Sequence, residues 1–268
     1  MSRSMSCFKR LFVVSAMLVA LPVYPDATLT LGGSDGLEST ILIRGDKGRI
    51  SSADRSEYLL FDRQAQTIVF VEPALRQYTQ LTVAELETMV ETAAMVKETV
   101  APFMADILAS LPEEQRAAIE QRIGGMTGSP AAGAPARDAA ISTAARGKRV
   151  FSGLTCEARE IFKNNRPSMQ VCMATSAGGA LSAADFSMLE SLVDISRSVA
   201  GTAGSMLGNM HEPVELLTAD LKGVPLSVHD MEKGTRYQLT SISDAELSDA
   251  LFLDYEKLSR KDVPVLLR

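Results

Sequence analysis

Residues 28–80 alternate short apolar runs with turn residues, the pattern of strands joined by tight hairpins. "ATLTLGG" precedes Ser34-Asp35-Gly36, and "LESTILIR" precedes Gly45-Asp46-Lys47-Gly48 and "RISSA". "SEYLLFD" and "TIVFVEP" flank Arg63-Gln64-Ala65-Gln66, and Pro73-Ala74-Leu75 leads into "RQYTQL". Consecutive strand residues point to opposite faces. "YLLF" and "TIVFV" are apolar at consecutive positions, so both faces of these strands are expected to meet apolar neighbours.

The period changes at Thr82. Thr82 and Glu85 have the spacing of a capping box. Leu86, Val90, Ala93, Val100, Phe103, Ile107 and Leu111 then recur at helical spacing. Pro102 should kink this helix. "PEEQRAAIEQRIGG" predicts another, with proline and acids at its start and glycines after it. Residues 82–123 thus form a helical insert. Residues 124–148 are dominated by Ala, Gly, Ser, Thr and Pro and read as a flexible loop between two halves of one sheet.

Strands resume with "KRVFSGLTCEAREIF", turn at Asn164-Asn165-Arg166-Pro167 and return through "SMQVCMAT". A second long helix is expected near Ser182, capped through Asp185, with Phe186, Leu189, Val193, Val199 and Met206 on its apolar stripe. "VPLSVHD" and "TRYQLTSIS" form a final hairpin about Glu232-Lys233-Gly234, before a short helical tail. The fold class is α+β, with an antiparallel meander sheet.

The start of the chain looks different. Arg3, Lys9 and Arg10 precede the unbroken apolar run "LFVVSAMLVAL". The run suits a secretory signal and is too short for a bilayer, which needs about 20 residues. We expect a signal peptide over residues 1–27, cleaved near Ala27, and a single domain over 28–268. Cys7 precedes the run, so a lipid anchor on it is not expected. No later stretch predicts a membrane span. The expected location is the periplasm.

Composition narrows the function classes. The chain has 27 Lys and Arg against 33 Asp and Glu, a net charge of −6. Such a balance repels phosphate backbones and anionic headgroups, so nucleic acid is not an expected partner. Tryptophan is absent and aromatics are 5%, which gives no base-stacking platform.

Individual motifs are mostly turns. Arg44-Gly45-Asp46 matches an adhesion tripeptide, but Gly and Asp here link two strands, as turn residues do. Gly32 to Gly36 match Gly-x-Ser-x-Gly, yet a serine hydrolase needs a strand-to-helix elbow and a nearby histidine. The histidines are His211 and His229, and neither has metal-ligand spacing to another donor. No metal, cofactor or catalytic residue is expected, and the chain reads as a non-enzyme.

Cys156 and Cys172 carry the sharpest chemistry. They lie on the two arms of one predicted hairpin, and pairing about Asn164 sets them directly opposite. In an oxidising compartment they should form a disulfide. Met89, Met95, Met104, Met188, Met206 and Met210 lie on or beside the helices. They suit either ordinary core filling or a soft apolar cavity.

The order of "ILIRGDKGRIS", "YLLFDRQAQTIVFVEPALRQYTQL", "GLTCEAREI" and "LKGVPLSVHDMEKGTRYQLTSIS" resembles a family of uncharacterised exported bacterial proteins with a domain of unknown function. Beyond it, the chain resembles the lipoprotein-carrier (Lol-type) half-barrel group. Gly45, Lys47 and Arg49 match the first hairpin, and Tyr78 the strand before the insert. Gly153 and Cys156 match a Gly-x-x-Cys strand, and Gly223, Pro225 and Leu226 the last hairpin. Phe252 and Tyr255 match the tail, without the usual Pro-x-Gly between them. The resemblance implies an incomplete antiparallel β-barrel, a curved meander sheet with helices covering its concave face.

The expected function is therefore binding or carriage of a hydrophobic or amphipathic ligand, a lipid or lipoprotein segment. Phe103, Met104, Phe186, Leu189 and Met206 are the expected lining residues. The alternative is a structural or interaction module of the cell envelope, with an envelope protein as partner and helices filling the barrel.

Overall fold

A computed structural model describes residues 26–89, 91, 92, 95, 140–203 and 221–262. The strands are β1 (Ala27–Gly33), β2 (Glu38–Arg44), β3 (Lys47–Ser52), β4 (Tyr58–Asp62), β5 (Thr67–Glu72) and β6 (Gln77–Thr82). They continue as β7 (Ile141–Phe151), β8 (Leu154–Lys163), β9 (Arg166–Ala174), β10 (Val224–Asp230), β11 (Thr235–Ser243) and β12 (Ser259–Arg260). Helix α1 spans residues 83–89, α2 is Ala183–Ala203 and α3 is Ala250–Leu253.

All 12 strands join one open sheet in the order β12-β6-β5-β4-β3-β2-β1-β11-β10-β9-β8-β7. Two meanders, β1 to β6 and β7 to β11, are sewn together by antiparallel pairing of β1 with β11. The short parallel pairing of β12 with β6 departs from an otherwise antiparallel sheet. The expected sheet-rich α+β class is correct.

The turns follow their residues. β2 and β3 are joined by the two-residue loop Gly45-Asp46, with Gly45 at φ 57°. Asp46 accepts from Arg63 Nε at 2.8 Å and Nη2 at 2.5 Å. The adhesion-like tripeptide is thus a hairpin corner whose carboxylate is already paired. Ser34 Oγ, in the β1–β2 turn, accepts from the backbone N–H of Arg236 on β11 at 2.9 Å. Both long-helix caps form as expected: Thr82 and Glu85 exchange bonds at 2.9 and 3.1 Å, and Ser182 and Asp185 do the same. Leu181 and Phe186 occupy the hydrophobic-staple positions of α2, and both are buried.

Two expectations need correction. The stretch 124–148 reads as a loop, but 141–148 belongs to β7; residues 124–139 lie outside the described residues. An edge strand is carried by backbone pairing with one neighbour, so Ile-Ser-Thr-Ala-Ala suffices without a buried stripe. Nor is "KRVFSGLTCEAREIF" one strand. Ser152 and Gly153, at φ 47° and 83°, turn it into the β7–β8 hairpin. The expected helical insert beyond residue 95 and most of the segment expected to be a signal peptide lie outside the described residues. Asp26 and Ala27 belong with the sheet: Asp26 accepts from Leu247 N–H at 2.7 Å, and Ala27 is buried.

Cys156 and Cys172 form the disulfide, with Cα atoms 5.4 Å apart, and both are buried. They are not directly opposite: Cys172 faces Ala158. The two-residue turn Asn164-Asn165, with φ 52° and 63°, moves the hairpin axis half a residue from Asn164. A bulge between Ile161 and Phe162 adds the rest of the shift. The bond is a diagonal staple closing a loop that contributes about 3 kcal/mol by chain entropy.

The sheet is apolar on both faces where the sequence is. Leu59, Phe61, Ile68 and Phe70 point to the inner face, which carries the main core cluster. Tyr58, Leu60, Val69 and Val71 point to the outer face and pack with Phe252 of α3. Phe186, Met188, Leu189 and Leu192 of α2 belong to the inner cluster. Gly48 shows how closely α2 approaches. A Cβ there would lie 3.0 Å from Met188 Cε and 3.3 Å from Leu192 Cδ1. Gly48→Leu should therefore overpack this contact and cost about 1–3 kcal/mol, read as a lower urea midpoint. An unchanged midpoint would mean that α2 does not rest on β3.

Candidate functional site: an apolar row on the inner face

Register places inner-face side chains in rows that cross the strands. One row runs Ala27, Ile43, Gly48, Phe61, Ile68 and Leu81 over β1 to β6, each directly opposite the next. Every member is buried. The next row, two residues along each strand, runs Leu29, Ile41, Ile50, Leu59 and Phe70. Leu29 is buried, but Ile41, Ile50, Leu59 and Phe70 are only half-buried. Beyond them the face turns polar. Ser39 faces Ser52, and Gln77 donates to Glu72 at 2.8 Å.

Four adjacent β-branched, aliphatic or aromatic side chains are thus left partly in water beside a sealed core. Adjacent strands lie about 4.8 Å apart, so the row spans about 14 Å. Burying one such side chain fully is worth about 1.5–3 kcal/mol relative to exposure. A half-buried row retains part of that driving force for whatever completes its burial. Its chemistry is non-directional: it can hold an apolar chain but cannot orient a reacting group.

The predicted lining residues divide. Phe186 and Leu189 are buried in the same cluster that the row borders. Phe103, Met104 and Met206 lie outside the described residues. Sequence reasoning does not single out Ile41, Ile50, Leu59 and Phe70. The signal is present in "ILIR", "RISS", "YLLF" and "TIVF", but it emerges only when the hairpins are paired about their turns.

The outer face has its own concavity, of about 220 Å³, beside the Gly45-Asp46 turn and α3. Its charged groups include Arg44, Asp46, Lys47, Asp62 and Asp249. Several are committed to holding the C-terminal segment. Arg44 donates to Leu247 C=O and pairs with Asp249 at 3.3 Å. Arg49 donates to Leu251 C=O at 2.6 Å and stacks 3.7 Å above the Tyr58 ring. Tyr58 O–H donates to Asp254 at 2.5 Å. Burial, then the Asp254 carboxylate, pushes the Tyr58 phenol well above its ordinary range. Tyr255 stacks edge-on against Tyr78, with ring centroids 5.0 Å apart. This cleft is the seam of a structural clamp.

Among the described residues no group of acidic, histidine or cysteine side chains is arranged to hold a metal. No described helix is long and apolar enough to cross a membrane. His229 lies 3.5 Å from an Arg236 guanidinium nitrogen, away from the row.

One carboxylate sits on the inner face of β8. Glu160 is buried, accepts from Arg146 Nε at 2.8 Å and receives a long bond from Gln170 at 3.4 Å. The Arg146 guanidinium holds its pKa below the ordinary glutamate range.

No protein-family model matches the chain, and no curated protein does. Among solved structures, the chain is similar to an uncharacterized conserved protein from Thermus thermophilus, known from a crystal structure. The identity is 7%, the TM-score is 0.36, and the match covers 89% of this chain and 91% of that one.

A carboxylate with a depressed folded pKa stabilises the fold above its unfolded value, and the contribution is lost as pH falls through the folded value. Glu160→Gln should therefore flatten the loss of stability as pH falls through and below the ordinary glutamate range, measured by urea midpoints. Parallel curves for the two proteins would contradict a stabilising Arg146 pair.

Proposed function

We propose that this protein is a non-enzymatic periplasmic binding or carrier module whose ligand is the apolar chain of an amphipathic molecule, a lipid or a lipoprotein segment. The observation that carries the reading is the half-buried row Ile41, Ile50, Leu59 and Phe70, continuous with a sealed row and ended by polar residues. The physics is burial of a chain that water excludes, on a preformed surface. A span of about 14 Å suits an extended acyl chain or a few residues of extended peptide.

Export is part of the proposal. The basic and apolar start of the chain supports it, and so does a buried disulfide, which belongs in an oxidising compartment. The proposed architecture is the half-barrel of the lipoprotein-carrier group, with helices over its concave side. The packing of α2 on Gly48 supports that placement.

The same contact favours a second reading. Where α2 meets β3 there is no room for a ligand, so a structural module with helices filling the barrel is the alternative. The row separates the two.

Purified protein should enhance the fluorescence of an apolar dye, and a fatty acid should displace the dye. Ile50→Glu with Phe70→Glu should abolish the enhancement, while circular dichroism stays unchanged, because both positions already meet water. Absence of dye binding by the wild type would favour the filled module.

A further inference from the structure

The sheet has two edges, and they are unlike. At one end β12 is two residues long and is held by the C-terminal clamp. At the other, β7 runs for 11 residues and hydrogen-bonds to β8 on one side. Among the described residues nothing pairs with its other side. A free edge offers a row of backbone donors and acceptors that an extended peptide completes.

Natural sheets guard such edges with charge and bulges. Here the bulge lies between Ala145 and Lys148, at Gly147 with φ 90°. It blunts only the middle. Ile141 to Ala145 carry no charge, no proline and no glycine, and this stretch pairs regularly with β8. It is a five-residue edge without a guard.

The charges in and beyond the bulge are one-sided. β7 holds Arg146, Lys148 and Arg149 and no acid, on a chain of net charge −6. Arg146 is committed to Glu160. Lys148 and Arg149 are exposed and have no ion-pair partner among the described residues. Register puts them on opposite faces: Lys148 stands across from Glu157, and Arg149 across from the inner-face Cys156. Val150 follows on the outer face and is 66% exposed.

We propose that the free edge of β7 docks an extended acidic peptide segment of a partner protein, added to the sheet as a further strand. Two consecutive acidic residues of that segment meet Lys148 and Arg149, one on each face, and an apolar residue beside them meets Val150. Consecutive residues of a strand point to opposite faces, so an acidic pair matches the basic pair without distortion. A second copy of this chain is the poorer occupant. Its β7 brings no carboxylate to the basic pair, and like charges directly opposed destabilise pairing.

The test uses purified protein and a labelled peptide long enough to run from the basic pair to Ile141 in either direction, Ser-Thr-Val-Thr-Ser-Thr-Val-Glu-Glu-Val-Thr-Ser-Thr-Val-Thr-Ser, followed by fluorescence anisotropy at low salt. A twin peptide carries two lysines in place of the glutamates. The glutamate peptide should bind at least about tenfold more tightly than its twin. The variant Lys148→Glu with Arg149→Glu should invert that preference. Hydrogen exchange at residues 141–145 should slow when the glutamate peptide is present. Equal binding of the two peptides to the wild type overturns the proposal, even if the variant fails to fold. So does no binding, unchanged exchange over 141–145, or a dimer in solution whose β7 amides are already protected.

Discussion

The structure turns on strands that are apolar on both faces. In β4 and β5 each residue points to the face opposite its neighbour, and both sets are large and apolar. A sheet with one wet face could not hold such strands. The inner set is packed with α2, and the outer set is sealed by Phe252, Leu251 and Tyr255 of the C-terminal segment. That segment is fixed from below by arginines on neighbouring strands, Arg44 and Arg49, whose guanidinium groups satisfy its free carbonyls. The charge on these strands thus serves the burial of the apolar side chains beside it.

The inner cover is uneven, and the proposed binding function rests on that unevenness. Six cross-strand positions are sealed, and Gly48 marks the place where α2 comes so near that an added Cβ would crowd Met188 and Leu192. One row along, four side chains are half in water. Both rows are apolar, and α2 meets the sealed one at Gly48. Tight contact at one row and partial cover at the next lets the sheet stay stable while keeping some apolar surface open. Farther along the sheet, the buried disulfide and the Glu160–Arg146 pair hold β7, β8 and β9 in register.

Much of this is legible in the sequence because local chemistry decides it. Asn164-Asn165 and Gly45-Asp46 are turn residues whatever surrounds them, and both capping boxes are local bonds. Doubly apolar "YLLF" announces two covers. What escapes is set by partners distant in sequence. β7 looks like linker because an edge strand of Ser, Thr and Ala needs only a neighbour's backbone. The cysteines sit two residues off the expected register because a bulge, invisible in composition, lies between them and the turn. The half-buried row escapes for the same reason: its members come from four strands, and only pairing puts them side by side. Phe186 and Leu189, read as lining, lie on an apolar stripe that the helix needs for packing in any case.

The proposed function requires that a ligand complete the half-buried apolar row. The most direct measurement is native mass spectrometry of the protein purified, without detergent, from the cells that produce it. The account predicts a mass excess that organic extraction removes and that matches an amphipathic molecule with an acyl chain or apolar peptide. A protein that flies at its bare polypeptide mass, disulfide intact, with added fatty acid failing to shift it, would contradict it.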